Sequence, residues 1–418
     1  MRNPYIIDRP LTEDDLFFGR EKLFEQLGRY LSNGQRLLLL YGKRRMGKTS
    51  FLNQLPLRLS PRWAVAYCSW ASLPSEGQRD PLWGLLLGAS VALDQAPPVR
   101  THYEKEPLQY ALTYLEKLSA NRPPLLLCYD DLTTEDLHPS AWEEIFQALR
   151  ERLPQGMAIL LAIRGTPWAL RSFPYLAEIP SLQLGPLEEL DAEELLTITA
   201  RRKLNYSYEA LQRIRQLSGG EPFLLQLFGS ALFEARAEAG WVDLPAVEHA
   251  LPHVMAMAEE LFEEEWEAST PAEQLVLCAL STMAGRYGIA SPSDVAHQLA
   301  TLHIQASQED ILQALESLQG REVLERLGGD TFRFSSELQR HWVKEKHNAL
   351  EVLQRTKQFR RVRPRRNIWR GRRIDWVSLL LWAIAGLLVL AIAFVWQSRK
   401  REVIHIGEPT PAPATLQA

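Results

Sequence analysis

The stretch RLLLLYGKRRMGKTS, residues 36–50, constrains this chain more than any other. A short apolar run leads into a loop with glycines at 42 and 47. The residues that follow, FLNQLPLRL, can open a helix. The order is apolar strand, GxxxxGK[ST], helix, the context in which such a loop cradles phosphate. Gly42 and Gly47 let backbone amides curl inward around an anion, and the helix adds its positive N-terminal end. Gly42, Lys43, Arg44, Arg45, Met46, Gly47, Lys48, Thr49 and Ser50 are therefore candidate phosphate contacts. Lys48 has the reach for β- and γ-phosphates, and the Thr49 hydroxyl suits Mg²⁺. Arg44 and Arg45 fit either phosphate or an acid of a neighbouring domain in a resting state.

Such a loop needs an acid at the end of another buried strand. PPLLLCYDDL supplies it: an apolar run to Tyr129, then Asp130 and Asp131. Asp130 fits the Mg²⁺ acid, and Asp131 is placed to orient or deprotonate an attacking water. WAVAYCSW (63–70), MAILLAIRG (157–165) and SLQLGPL (181–187) read as further strands. Strands alternating with helical stretches predict an α/β core with a parallel five-stranded sheet over residues 1–186. Ligands sit at the carboxyl ends of such strands. Arg164 lies at one of these ends, where it could sense a γ-phosphate or form a surface ion pair.

Residues 187–267 read as a helical lid that ends in the acidic stretch EELFEEEWE (259–267). Within it, LSGGE (217–221) spells most of a transporter ATPase signature. It lies downstream of Asp130, the wrong side for that role, and Gly219-Gly220 would end one helix while Pro222 starts the next. Residues 268–350 have winged-helix rhythm, with a capping box at Thr270–Glu273 and a hairpin turning at Gly328-Gly329. Residues 268–346 hold ten acids against seven bases, and the expected recognition helix QEDILQALESL has three acids and no base. Phosphate contact requires Lys and Arg, so the charge argues against nucleic acid. A packing role is expected instead, with Arg333, Arg340 and Trp342 as contacts to the core.

Taken together, NPYIIDRPL…FFGRE (3–21), YGKRRMGKTSFL (41–52), LLLCYDD (125–131) and GGEPFLLQ (219–226) resemble the STAND class of AAA+-related P-loop ATPases. The likeness is closest to the prokaryotic group with a GxRRxGKTSL loop. This resemblance implies an ATP-dependent switch, with Gly19 and Arg20 near the base and Pro222 closing over it from the lid. It also implies ATP rather than another nucleotide. The chain departs from the pattern in carrying Asp131 where Glu is usual, and Glu221 where a sensor arginine would be sought. A shorter carboxylate predicts slow hydrolysis.

Residues 376–396, WVSLLLWAIAGLLVLAIAFVW, hold no charge over a length that suits a transmembrane helix, with tryptophan at both ends. Ten Lys or Arg and no acid lie between Arg355 and Arg373. This basic linker (351–375) predicts a cytoplasmic N-terminal body, a C-terminal tail (397–418) outside, and contact with anionic headgroups. EPTPAPAT marks that tail as disordered, and the N-terminus lacks an apolar signal-peptide core. Cys68, Cys128 and Cys278 are far apart and read as small buried hydrophobes. The whole predicts a membrane-anchored ATP- and Mg²⁺-binding switch with an unidentified protein partner. A nucleotide-dependent homo-oligomer stays open. The rival readings are a tethered DNA-binding regulator and an ATPase subunit of a transport assembly.

Overall fold

The computed structural model describes residues 2–403 apart from 13–14, 121, 138, 201–202, 284–287, 356–359 and 362–375; only backbone is described at 139–140, 360–361, 376–379 and 398–403. Most of the basic run and residues 404–418 of the tail therefore lie outside the described residues. The chain divides into two units, Met1–Val362 and Arg363–Ala418.

The first unit contains a five-stranded parallel sheet. Its strands are β1 (Leu37–Gly42), β2 (Ala64–Ser69), β3 (Leu125–Thr133), β4 (Met157–Arg164) and β5 (Ser181–Gln183), in the order β2-β3-β4-β1-β5. The three central strands are apolar runs because helices cover both faces, as parallel sheets require. Alternate residues serve alternate faces. Leu38, Leu40, Leu126, Cys128, Leu160 and Ala162 pack against Phe24, Phe51 and Leu55. Leu37, Leu39, Leu127, Tyr129, Leu161 and Ile163 pack on the other side against Trp83, Leu86, Trp142 and Leu149. All three cysteines are buried free thiols.

One departure from regular pairing matters. Tyr129 pairs with Leu161 and Leu132 with Ile163, so Asp130 and Asp131 together oppose a single residue of β4. Asp131 takes a left-handed φ of 62° to make this bulge. Bulges re-aim side chains, and here two consecutive acids are presented at the carboxyl end of the sheet.

From Leu187 to Val352 the chain is mainly helical and shares one continuous apolar core, which also takes in Tyr5. The helix Tyr208–Ser218 stops at Gly219, whose φ is 61°, and the next helix begins with Pro222. That is the helix–corner–helix expected from the glycine pair. The acidic stretch forms its own helix, Glu259–Glu267. Helices Pro271–Thr282, Pro292–Thr301 and Gln308–Gly320 precede an antiparallel hairpin, Leu324–Leu327 with Thr331–Phe334.

The second unit contains the helix Trp376–Val403. Its window Leu380–Gln397 has a mean hydropathy of 2.3, long and apolar enough to cross a membrane. The helix runs seven residues further than the apolar stretch alone, through SRKREV.

Candidate functional site

The phosphate loop leaves β1 at Gly42 and enters the helix Lys48–Leu59. Glycine at 42 is needed because a Cβ there would lie 2.6 Å from the Leu184 carbonyl oxygen. Gly47, with φ 90°, makes the turn into the helix. The Lys48 ammonium donates to the carbonyls of Gly42 and Lys43, both at 2.9 Å. Burial pushes its pKa down to about 8, against the pull of Asp130.

Thr49 and Asp130 meet at the end of the sheet. The Thr49 hydroxyl donates to Asp130 Oδ2 at 2.6 Å, and the Tyr67 hydroxyl donates to the same atom at 3.2 Å. Asp130 is 1% exposed, and its Oδ1 is buried with no hydrogen-bond partner among the described residues. Burial raises its pKa, opposed by the Thr49 bond. An orphaned carboxylate oxygen beside a hydroxyl is the donor set that a hard, oxygen-seeking cation takes, so Thr49 and Asp130 fit Mg²⁺. Asp131 turns the other way, and its Oδ2 accepts from the Ser69 hydroxyl at 2.7 Å.

A cavity of about 270 Å³ opens beside the loop. Arg44, Arg45, Met46, Gly47, Lys48, Thr49 and Ser50 line it, with Asp131 and Arg164 from the sheet and Pro222 from the helical region. Arg20 lines it too, its guanidinium donating to the carbonyls of Gly185 and Pro186. Gly19 packs against Asp191 instead, where a Cβ would come within 2.5 Å of Oδ2. The N-terminal segment adds Ile6, Ile7, Pro10 and Leu11. It is tied to the loop helix by Leu11 N–H to Ser50 Oγ (3.0 Å) and to the helix Pro222–Arg236 by Ile6 N–H to Gln226 Oε1 (3.2 Å).

Lys43 is outside this cavity. Its buried ammonium pairs with Glu221 at 3.0 Å and Glu265 at 3.1 Å, and donates to the Glu322 carbonyl. Burial disfavours the ammonium, but the two carboxylates outweigh it and raise the pKa. With two acids around one cation, burial raises Glu221 in turn. Of the loop's arginines, Arg44 pairs with Glu260 at 3.2 Å and with Glu264. Arg45 lies 4.6 Å from the Phe223 ring centre. Glu264 also faces Arg164 at 3.6 Å. The acidic helix thus holds cations of the loop and of β4 together, and Glu265 extends the link by accepting from Gln339 at 2.6 Å.

Arg333, Arg340 and Trp342 do not make the expected contacts to the α/β part. Arg333 pairs with Glu325 across the hairpin and Arg340 faces Glu337. Trp342 packs on Phe262 and Trp266. Gly320 meets the α/β part instead, where a Cβ would fall 2.5 Å from Trp168, and Glu322 accepts from Gln183. Charge pattern hinted at the acidic helix, but nothing in the sequence showed which cations it faces. Tyr67, Ser69 and Gln226 were missed as well; the polar end of β2 was the only signal for the first two.

A parallel sheet with a phosphate loop after β1 and paired acids near the carboxyl end of β3 is the P-loop nucleoside triphosphatase fold. The Walker-type ATPase PABY2304 of Pyrococcus abyssi has a similar structure: TM-score 0.58 at 18% identity, over 81% of this chain and 99% of that one. Cdc6p from Pyrobaculum aerophilum aligns with a TM-score of 0.41 at 14% identity, over 83% and 97%. RuvB of Thermotoga maritima gives 0.39 at 15%, over 80% and 97%. The first likeness is one of fold. No protein-family model matches the chain, and no curated protein matches it.

Proposed function

We propose that this chain is a membrane-anchored, ATP-binding switch of the STAND type that hydrolyses slowly. ATP would occupy the cavity between the phosphate loop, Arg164, the N-terminal segment and Pro222. Lys48 and the loop amides bind its phosphates, while Thr49 and Asp130 hold Mg²⁺, which neutralises charge on the phosphate oxygens. Asp131, which lines the cavity and keeps one carboxylate oxygen off Ser69, orients water. Its carboxylate is one methylene shorter than the usual Glu, which slows turnover.

The observation that carries the switch is the set of acids on the helix Glu259–Glu267. Glu264 faces Arg44 and Arg164, two cations that line the cavity beside Lys48. A triphosphate competes with Glu264 for them, and the helix is linked through Glu265 to Gln339 of the winged-helix region. Nucleotide state therefore biases how that region docks, and a protein partner reads the change. The acidic charge of the winged helix and the packing of Gly320 on Trp168 favour this role over DNA binding. Residues 376–396 supply the anchor, with the preceding basic run on the cytoplasmic side beside anionic lipid.

Hydrogen exchange on the detergent-solubilised chain tests the switch. Amides of 259–267 should lose protection on adding ATP and Mg²⁺, and the Lys48→Ala variant should not respond. Protection that stays constant while ATP binds would refute it.

A further inference from the structure

The side chains of the cavity wall away from the phosphate loop determine which base fits there, an inference that rests on the nucleotide reading above. Ile6, Ile7, Leu11, Phe18, Leu195 and Phe223 make that wall apolar. Asp131, at the phosphate end, is the cavity's one carboxylate among the described residues. The polar groups are otherwise engaged. Arg9 pairs with Asp15, Arg20 donates to Gly185 and Pro186, and Ser50 accepts from Leu11.

Gln226 differs. It is 8% exposed and sits one turn after Pro222. Its Oε1 accepts from the Ile6 N–H, which fixes the orientation of the amide, since an N–H donor must face oxygen. The Nε2 group is left as a donor with no acceptor among the described residues. A purine that meets this amide finds the Nε2 donor and the second lone pair of Oε1.

We propose that Gln226 selects adenine, its Nε2 donating to N1 of the base and the second lone pair of Oε1 accepting from the 6-amino group. Adenine N1 carries no hydrogen and can accept, and the two flat faces of the ring suit the apolar wall. Guanine and hypoxanthine carry a hydrogen on N1, which would face the Nε2 donor, and a carbonyl at position 6, which would face Oε1. Buried donors left unpaired are what a polar site rejects most strongly.

Calorimetric titration of the full chain in detergent, with Mg²⁺, tests this with ATP, GTP, ITP and inorganic tripolyphosphate as probes. ATP should bind at least about tenfold more tightly than GTP or ITP. Gln226→Leu should weaken ATP about fivefold or more and leave tripolyphosphate unchanged. Gln226→Glu keeps an oxygen for the Ile6 N–H and turns the second oxygen to the base as an acceptor, so the ATP-to-GTP ratio should fall severalfold. Equal binding of ATP and GTP by the parent chain, or an unchanged ratio in Gln226→Glu, overturns the inference and leaves nucleotide binding standing. Failure of every probe, tripolyphosphate included, overturns the nucleotide reading and this inference with it.

Discussion

At the scale of single residues, the two acids near the end of β3 divide the work because the bulge they form turns their side chains apart. Asp130 is buried on Thr49 and Tyr67, whereas Asp131 faces the cavity and is held by Ser69. Asp131→Asn should therefore lower turnover by about 100-fold with ATP affinity within a factor of about two; a phosphate-release assay beside a titration checks both. The loop, the acid pair and Arg164 were legible in the sequence because their chemistry requires fixed residue types at fixed strand ends. Lys43 was expected among the phosphate contacts of the loop, and its side chain leaves the cavity. Position in a motif does not reveal on which side of a loop a side chain leaves, and Lys43 leaves toward Glu221 and Glu265. Removing its charge strands those carboxylates, so Lys43→Met should cost about 3–5 kcal/mol in denaturant unfolding.

At the scale of elements, strands and caps were readable while contacts between elements were not. The corner at Gly219-Gly220 was expected as a helix end, and it is one. Its second role is unreadable locally: a Cβ on Gly219 would lie 2.0 Å from the Ser335 carbonyl oxygen. With φ at 61° as well, Gly219→Ala should destabilise the chain by more than about 2 kcal/mol, measured by chemical denaturation. The acidic helix also meets the following region through His347, which stacks on Trp266 at 3.7 Å. Burial lowers the His347 pKa; Glu351 opposes this, while Arg355 and Lys346 add to it. The folded state then prefers the neutral ring, and the unfolded chain takes up a proton near pH 6.5. The histidine's contribution to stability is present above that pH and falls as pH drops below it. Melting temperatures of the parent and His347→Phe should diverge between pH 7.5 and pH 5.5, with the parent falling more steeply.

At the scale of the whole molecule, the N-terminal segment and the acidic helix both connect the α/β part to the helical part of the first unit. Tyr5 inserts beside Gly229, and Leu11 binds Ser50 on the loop helix. Glu264 spans Arg44 and Arg164. Weakening the second link should favour the nucleotide-bound arrangement: Glu264→Gln should raise ATP affinity about three- to tenfold, read by calorimetry. The account rests on the cavity beside Lys48 being a triphosphate site. Titration of ATP with Mg²⁺ into the full chain and into Lys48→Ala tests this most directly. The account predicts saturable binding by the parent, weakened in the variant by about 2–5 kcal/mol, roughly 30-fold or more in affinity. Equal affinity in both proteins, or no binding by either, would contradict it.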